Sequence, residues 1–307
     1  MKESRELKGV IPVVQTPVHR DGGVDVAAQA RLIEYLSGKG IGGFWALGTG
    51  SEDMNLSFEK RLIAARTIAE ANAGRLPLVM GTGFFAMDDI LAFMEETKDL
   101  EIDAYHVMPY HPLMGLDGMA QFYSDIADAA PKPLWMYTSG NWARPFPPDF
   151  VARMKSHPNI AGIKYSTSRT TDQIKVVAMA EPGFQVITAV ASQFIMVLSI
   201  GVAGSTTSVA GALPEALLEI YNHFQAGRKD EAMAAQHRLN GFLGRMPKRV
   251  KEWNFLGAAE EKYILSLRGI CEPYTTNYYT ELTEDEQAQV RDALEEFGFM
   301  SFVKKAA

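Results

Sequence analysis

Apolar and polar positions alternate along this chain in blocks. Eight short apolar runs rich in β-branched and aromatic residues recur along its first two thirds: Ile11–Val14, Phe44–Leu47, Leu78–Met80, Tyr105–Met108, Leu134–Tyr137, Ile160–Lys164, Phe184–Thr188 and Val202–Thr206. Continuous apolar runs of this length read as strands buried on both faces, the pattern of a parallel sheet. The segments between them carry helical periodicity: Val26–Ser37, Phe58–Ala73, Asp88–Leu100, Met119–Ala129, Pro148–Lys155 and Gln173–Ala180. Asp25 and Ser57 stand where an N-cap is needed to accept from the first free backbone N–H groups.

Strand and helix in strict alternation, repeated eight times, predict an α/β fold of the (β/α)8 TIM-barrel type. An open doubly wound sheet is the competing architecture. It calls for a glycine-rich phosphate loop after the first strand, and TPVHRDGG (Thr16–Gly23) is not one. From Pro214 onward the pattern is helical only, over Glu215–Gln225, Lys229–Leu243, Lys248–Leu267 and Glu284–Phe297, the last opened by Thr283 in a capping-box sequence. The expected organisation is therefore 1–213 for the barrel strands and most barrel helices, and 214–307 for the last barrel helix plus a C-terminal helical extension. No linker rich in Pro, Gly or Ser separates them, so they read as a single structural unit.

Composition narrows the function classes. With 47% hydrophobic and 22% charged positions, 307 residues can bury a large core, which excludes a disordered chain. The net charge of −7, with basic residues dispersed, argues against nucleic-acid binding. No apolar stretch approaches the ~20 residues of a membrane span, and the N-terminus lacks the apolar core of a signal peptide, so a cytoplasmic protein is expected. A single cysteine, Cys271, permits no internal disulfide and no cysteine metal cluster.

In a (β/α)8 barrel the chemistry sits at the C-terminal ends of the strands. Lys164 closes the apolar run IAGIK at the end of strand 6, where desolvation favours a neutral, nucleophilic amine. Tyr137 ends the neighbouring strand 5 and offers a phenol for proton transfer. Strand 2 runs into GTGSED (Gly48–Asp53), with the hydroxyls of Thr49 and Ser51 and backbone amides suited to a carboxylate. His106 and His111 have no partners at a metal-ligand spacing, so no metal site is expected. No G-x-S-x-G elbow is present either.

Taken together and in order, GVIPVVQTPVHRDGGVD (Gly9–Asp25), GTGSEDMNLSFEKR (Gly48–Arg61), MPYH (Met108–His111), MYT (Met136–Thr138), NIAGIKYS (Asn159–Ser166) and GVAGSTTSVAGALP (Gly201–Pro214) resemble the dihydrodipicolinate synthase and N-acetylneuraminate lyase family of class I aldolases. The resemblance implies Lys164 as Schiff-base lysine, Tyr137 as catalytic tyrosine, and Thr49 as the first hydroxyl of the loop that binds the keto-acid carboxylate. It also places Thr206 in the pyruvate pocket. No cofactor is implied, and the family's habit of assembly points to a homo-oligomer, a tetramer or dimer.

Four departures from the family pattern bear on the reading. The second loop threonine is Gly50 and the following glycine is Ser51, so the family's Thr-Thr-Tyr relay cannot exist in its usual form. The tyrosine that follows Pro-Tyr in the synthases is His111. Their carboxylate-binding arginine, five positions after the catalytic tyrosine, is Trp142, with Arg144 two residues on. A lost guanidinium and a gained indole suggest a less anionic, bulkier second substrate moiety. The expectation is a pyruvate-dependent aldolase of catabolic metabolism rather than a lysine-biosynthetic synthase. Two alternatives stay open: a 2-keto-3-deoxy sugar acid dehydratase or related deaminase, and a non-catalytic keto-acid binding protein.

Overall fold

The computed structural model describes residues 4–109, 113–139, 144–247, 258–277 and 280–303. Eight strands, β1 (Gly9–Val14), β2 (Phe44–Ala46), β3 (Leu78–Gly81), β4 (Ala104–Val107), β5 (Leu134–Ser139), β6 (Ile160–Ser166), β7 (Gln185–Thr188) and β8 (Gly204–Thr207), pair in parallel and in chain order. The last closes on the first, with Ile11 opposite Thr206, and makes a closed barrel. Closure leaves no sheet edge exposed.

Six helices follow the first six strands: α1 (Val26–Ser37), α2 (Phe58–Asn72), α3 (Met87–Thr97), α4 (Leu116–Ala129), α5 (Pro148–Lys155) and α6 (Thr170–Val177). Asp25 and Ser57 cap α1 and α2 as their positions predict, accepting from Ala28 N and Lys60 N. Two short helices went unforeseen, α7 (Phe194–Ser199) and α8 (Ser208–Ala212), because neither is long enough to show a period. Then come α9 (Pro214–Gln225), α10 (Lys229–Gly244), α11 (Ala259–Leu267), α12 (Glu284–Glu296) and α13 (Met300–Val303), the C-terminal helical extension. Of the helix expected over Lys248–Leu267, the first ten positions lie outside the described residues and Ala259–Leu267 is helical. No described helix is long and apolar enough to cross a membrane.

Strand residues divide between two cores. Outward-facing positions such as Val10, Val14, Tyr105, Val107, Leu134 and Met136 pack under the helices, while Ile11, Val13, Trp45, Ala104, Trp135 and Tyr137 fill the barrel. The period-2 alternation of a strand produces this division. One strand breaks it. Ile160 faces outward and Ala161 inward, yet Ile163 and Tyr165 again face outward. The reason is a register shift against β5: Leu134 is opposite Ile160 but Trp135 is opposite Gly162. An extra residue in β6 therefore reverses the parity and turns Lys164 into the barrel. Gly162 permits it, because a Cβ there would stand 2.9 Å from the Trp135 ring and 2.7 Å from the Gln185 carbonyl.

The register also extends both strands beyond their expected ends. β5 and β6 do not stop at Tyr137 and Lys164; the ladder continues through Thr138 opposite Tyr165 and Ser139 opposite Ser166. Backbone pairing persists after the apolar run ends, since the ladder depends on N–H and C=O groups and not on side-chain polarity.

Candidate active site

Between β2 and α2 the chain passes through Leu47 (φ 51°) and Glu52 (φ 60°), two non-glycine residues in the left-handed region that bracket a 3-10 turn at Thr49–Ser51. Such backbone costs about 1–2 kcal/mol per residue and persists only where its surroundings hold it. Glu52 supplies the anchor: its fully buried carboxylate lies 3.0 Å from the fully buried Lys262 Nζ of α11 and accepts from Thr276 N at 2.6 Å. Thr16 Oγ1 holds the loop from the other side, donating to the Ser51 carbonyl at 2.9 Å.

Tyr137 and Lys164 stand opposite each other in the β5–β6 ladder. The ammonium lies over two aromatic faces, 4.0 Å from the Tyr137 ring centroid and 5.3 Å from that of Trp45. Burial pushes the Lys164 amine down to about 7, with the negative charge of Asp53 pulling weakly the other way. A neutral nucleophile is thus available near neutral pH. The Tyr137 phenol shares a hydrogen bond of 3.0 Å with Thr49 Oγ1, and burial raises its pKa above the ordinary value. It is therefore a proton donor and not a standing phenolate.

His106 is fully desolvated, and burial with the nearby Lys164 charge pushes it down to about 3, so it is neutral. Its Nε2 contacts the Ala46 carbonyl at 2.9 Å, and its ring stacks on Trp45 at 4.1 Å. A carbonyl can only accept, so Nε2 carries the proton. His106 thereby braces Trp45, the ring beside Lys164.

These groups open on a cavity of about 250 Å³, whose lining includes Val13, Thr49, Gly50, Tyr137, Lys164 and Thr206. It shares Ser139, Ser166 and Ala189 with a larger cavity of about 760 Å³, walled further by Phe146, Tyr165 and Arg169. Thr206 Oγ1 and Thr207 Oγ1 are buried without a hydrogen-bond partner among the described residues, and both residues line the smaller cavity.

The fold brings Lys164, Tyr137, Thr49, Gly50 and Thr206 together, as their positions in the sequence anticipate. It does not bring Ser51 with them: its hydroxyl turns back to accept from Gly48 N at 3.3 Å, and the residue is absent from the cavity lining. Arg144 is exposed and lines neither cavity, although its carbonyl accepts from Thr138 Oγ1 at 3.3 Å. His111 and Trp142 lie outside the described residues. Trp45, Asp53, Ser208, Glu261 and Lys262 were not anticipated. Glu261 and Lys262 sit in the first turns of a helix, where a charged run reads as a solvated face. Only their burial against the β2 loop and the cavity distinguishes them.

Known proteins match this chain along nearly its whole length. The 4-hydroxy-tetrahydrodipicolinate synthase of Acidiphilium cryptum is 26% identical over 302 residues, covering 95% of this chain and 99% of that protein. The enzyme of the same name from Neisseria meningitidis is 27% identical over 294 residues, covering 95% and 99%. Among solved structures, Ruminococcus gnavus sialic acid aldolase superposes with a TM-score of 0.88 at 21% identity, over 98% of this chain and 99% of that one. Dihydrodipicolinate synthase of Bacteroides thetaiotaomicron gives 0.86 at 23% identity, over 94% and 98%. At such identities the solved structures speak for the fold alone. The model of the dihydrodipicolinate synthetase family matches residues 6–297, and the chain belongs to that family.

Proposed function

We propose that the chain is a pyruvate-dependent lyase that works through a Schiff base on Lys164, most simply an aldolase releasing pyruvate from a 2-keto acid. Membership of a family of class I lyases supports an enzyme of that broad type. The observation that carries the finer reading is the Lys164 amine, held inside the barrel at a pKa of about 7 beside the Tyr137–Thr49 hydrogen bond.

In this reading the neutral amine attacks the keto carbon and the carbinolamine loses water. Tyr137 supplies and recovers the protons, steadied by Thr49. The iminium then accepts the electron pair of the breaking carbon–carbon bond, leaving an enamine and an aldehyde. Water or ammonia expelled from the β-carbon would make the same site a dehydratase or deaminase. The keto-acid end fits the smaller cavity. The larger one gives the rest of the substrate room and offers it a mixed wall of Phe146, Tyr165, hydroxyl residues and Arg169, whose guanidinium is paired with Asp172.

The test is intact-mass spectrometry after incubation with pyruvate and sodium borohydride. One reduced pyruvate adduct is expected on the wild-type chain and none on Lys164→Ala. An unmodified wild type would overturn pyruvate as the substrate, and failure with longer keto acids too would favour the binding-protein reading. Product analysis separates the chemistries: pyruvate plus an aldehyde for cleavage, an intact skeleton less water or ammonia for elimination.

A further inference from the structure

Resting on that reading, we propose that Ser208, oriented by the Glu261 carboxyl group, supplies the hydroxyl that binds the keto-acid carboxylate beside Lys164, in the place left open by glycine at position 50. The two residues come from the start of α8 and the first turn of α11, far apart in the chain. Both line the 250 Å³ cavity that holds Lys164 and Tyr137.

Gly50 has no side chain to offer a ligand. The chain resembles proteins with a threonine at this position of the carboxylate-binding loop, and here the side chain is missing. A Cβ built on Gly50 would lie 3.2 Å from Ser208 Cβ and 3.1 Å from Val13 Cγ1. Ser208 therefore occupies the space toward which a side chain at position 50 would point. Ser51, the other hydroxyl within reach in sequence, is turned to the Gly48 backbone and does not face the cavity.

Glu261 decides what the Ser208 hydroxyl can do. Both residues line the same cavity, and burial together with the neighbouring Glu52 charge holds the Glu261 carboxyl above its usual range, against the pull of the Ser208 hydroxyl and of the Glu261 backbone N–H. Its Oε2 is shielded from solvent and has no hydrogen-bond partner among the described residues. A protonated carboxyl donates to Ser208 Oγ, which leaves the serine proton free for a second acceptor. An ionised carboxylate would instead capture that proton and repel an anionic substrate. The neutral form thus makes Ser208 a donor to a carboxylate. Glu261 is a positioning residue in this scheme, acting through Ser208.

The test titrates pyruvate in the borohydride-trapping assay and reads the half-saturating concentration and the limiting adduct yield. A hydrogen bond to a charged group is worth ~1.5–3 kcal/mol, which converts to roughly tenfold or more in half-saturating concentration. Ser208→Ala and Glu261→Ala are expected to show that rise with the limiting yield kept. Ser208→Thr, which retains the hydroxyl, and Glu261→Gln, whose amide N–H can donate to Ser208 as the acid does, are expected to restore tight binding. With acetone as a ketone probe lacking the carboxylate, Ser208→Ala should lower the pyruvate-to-acetone trapping ratio by a comparable factor.

Equal pyruvate titrations for wild type and Ser208→Ala would overturn the proposal while leaving the Schiff-base reading intact. So would a loss in Ser208→Thr as large as in Ser208→Ala, or an unchanged pyruvate-to-acetone ratio. A wild type that forms no adduct at all would bring down the Schiff-base reading and this one with it.

Discussion

Among the described residues two lysines are buried, Lys164 in the barrel and Lys262 in the helical extension, and their surroundings give them opposite tasks. Lys262 Nζ lies 3.0 Å from Glu52, both side chains fully shielded from water. Lys164 has aromatic rings below it, Asp53 acting only through space, and no ion-pair partner among the described residues. A buried charge must be compensated or given up. Lys262 is compensated, and so anchors the left-handed turn that presents Thr49. Lys164 sheds its proton near neutrality, and so can react. The same side chain serves as a rivet or a nucleophile according to whether a carboxylate stands within contact distance.

The largest effect expected from breaking this contrast is at Lys164 itself. Lys164→Ala should abolish the trapped pyruvate adduct entirely, whereas Lys262→Met, if folded, should still form one. An adduct surviving on Lys164→Ala would transfer the chemistry to another amine, which peptide mapping would identify.

Breaking the rivet should cost stability before chemistry. Removing one member of a buried ion pair strands the other, at about 3–5 kcal/mol. Glu52→Gln and Lys262→Met should each lower the denaturant midpoint accordingly. The double substitution Glu52→Gln with Lys262→Met should lose less than the sum. Additive losses would show that the pair is not coupled.

Lys164 predicts the reverse sign. A lysine lowered from 10.5 to about 7 in the folded chain destabilises it, because the unfolded chain binds the proton more tightly. That cost is full below pH 7, amounts to about 5 kcal/mol as an order of magnitude, and fades as pH rises toward 10.5. Lys164→Met should therefore melt above the wild type at pH 7, with the advantage narrowing at pH 10. A wild type more stable than Lys164→Met at neutral pH would mean the amine is better compensated than its surroundings suggest.

The smallest expected effect concerns the pH profile. Trapping should fall off below about pH 7 as Lys164 takes up its proton. Asp53→Asn removes a negative charge that favours the ammonium, so the acid limb should move to lower pH. Stopped incubations across pH 5–8 would measure it, and a shift toward higher pH would refute the sign.

Most of the barrel was legible in the chain. Its strands are continuous apolar runs because both faces are covered, and its helices show their period because one face meets that layer. Lys164 and Tyr137 stood out because ionisable or phenolic groups close apolar runs. The short helices α7 and α8 did not show, being below the length at which periodicity speaks. The direction of Ser51 and the exposure of Arg144 were equally hidden, since spacing along a loop does not determine where its side chains turn.

The sequence by itself determined the alternation of strand and helix, the chemical identity of the amine and the phenol, and the absence of a hydroxyl side chain at Gly50. Those are properties of local composition and order. Which face Lys164 takes was decided only in three dimensions: by simple alternation it would share the outward face of Ile160, and the register shift at Ala161 and Gly162 turns it inward. Tertiary structure likewise paired Glu52 with Lys262 and set Ser208 and Glu261 on the wall of one cavity. Such contacts join residues dozens to hundreds of positions apart, and only closure of the barrel against its helical extension removes the water that gives them their strength.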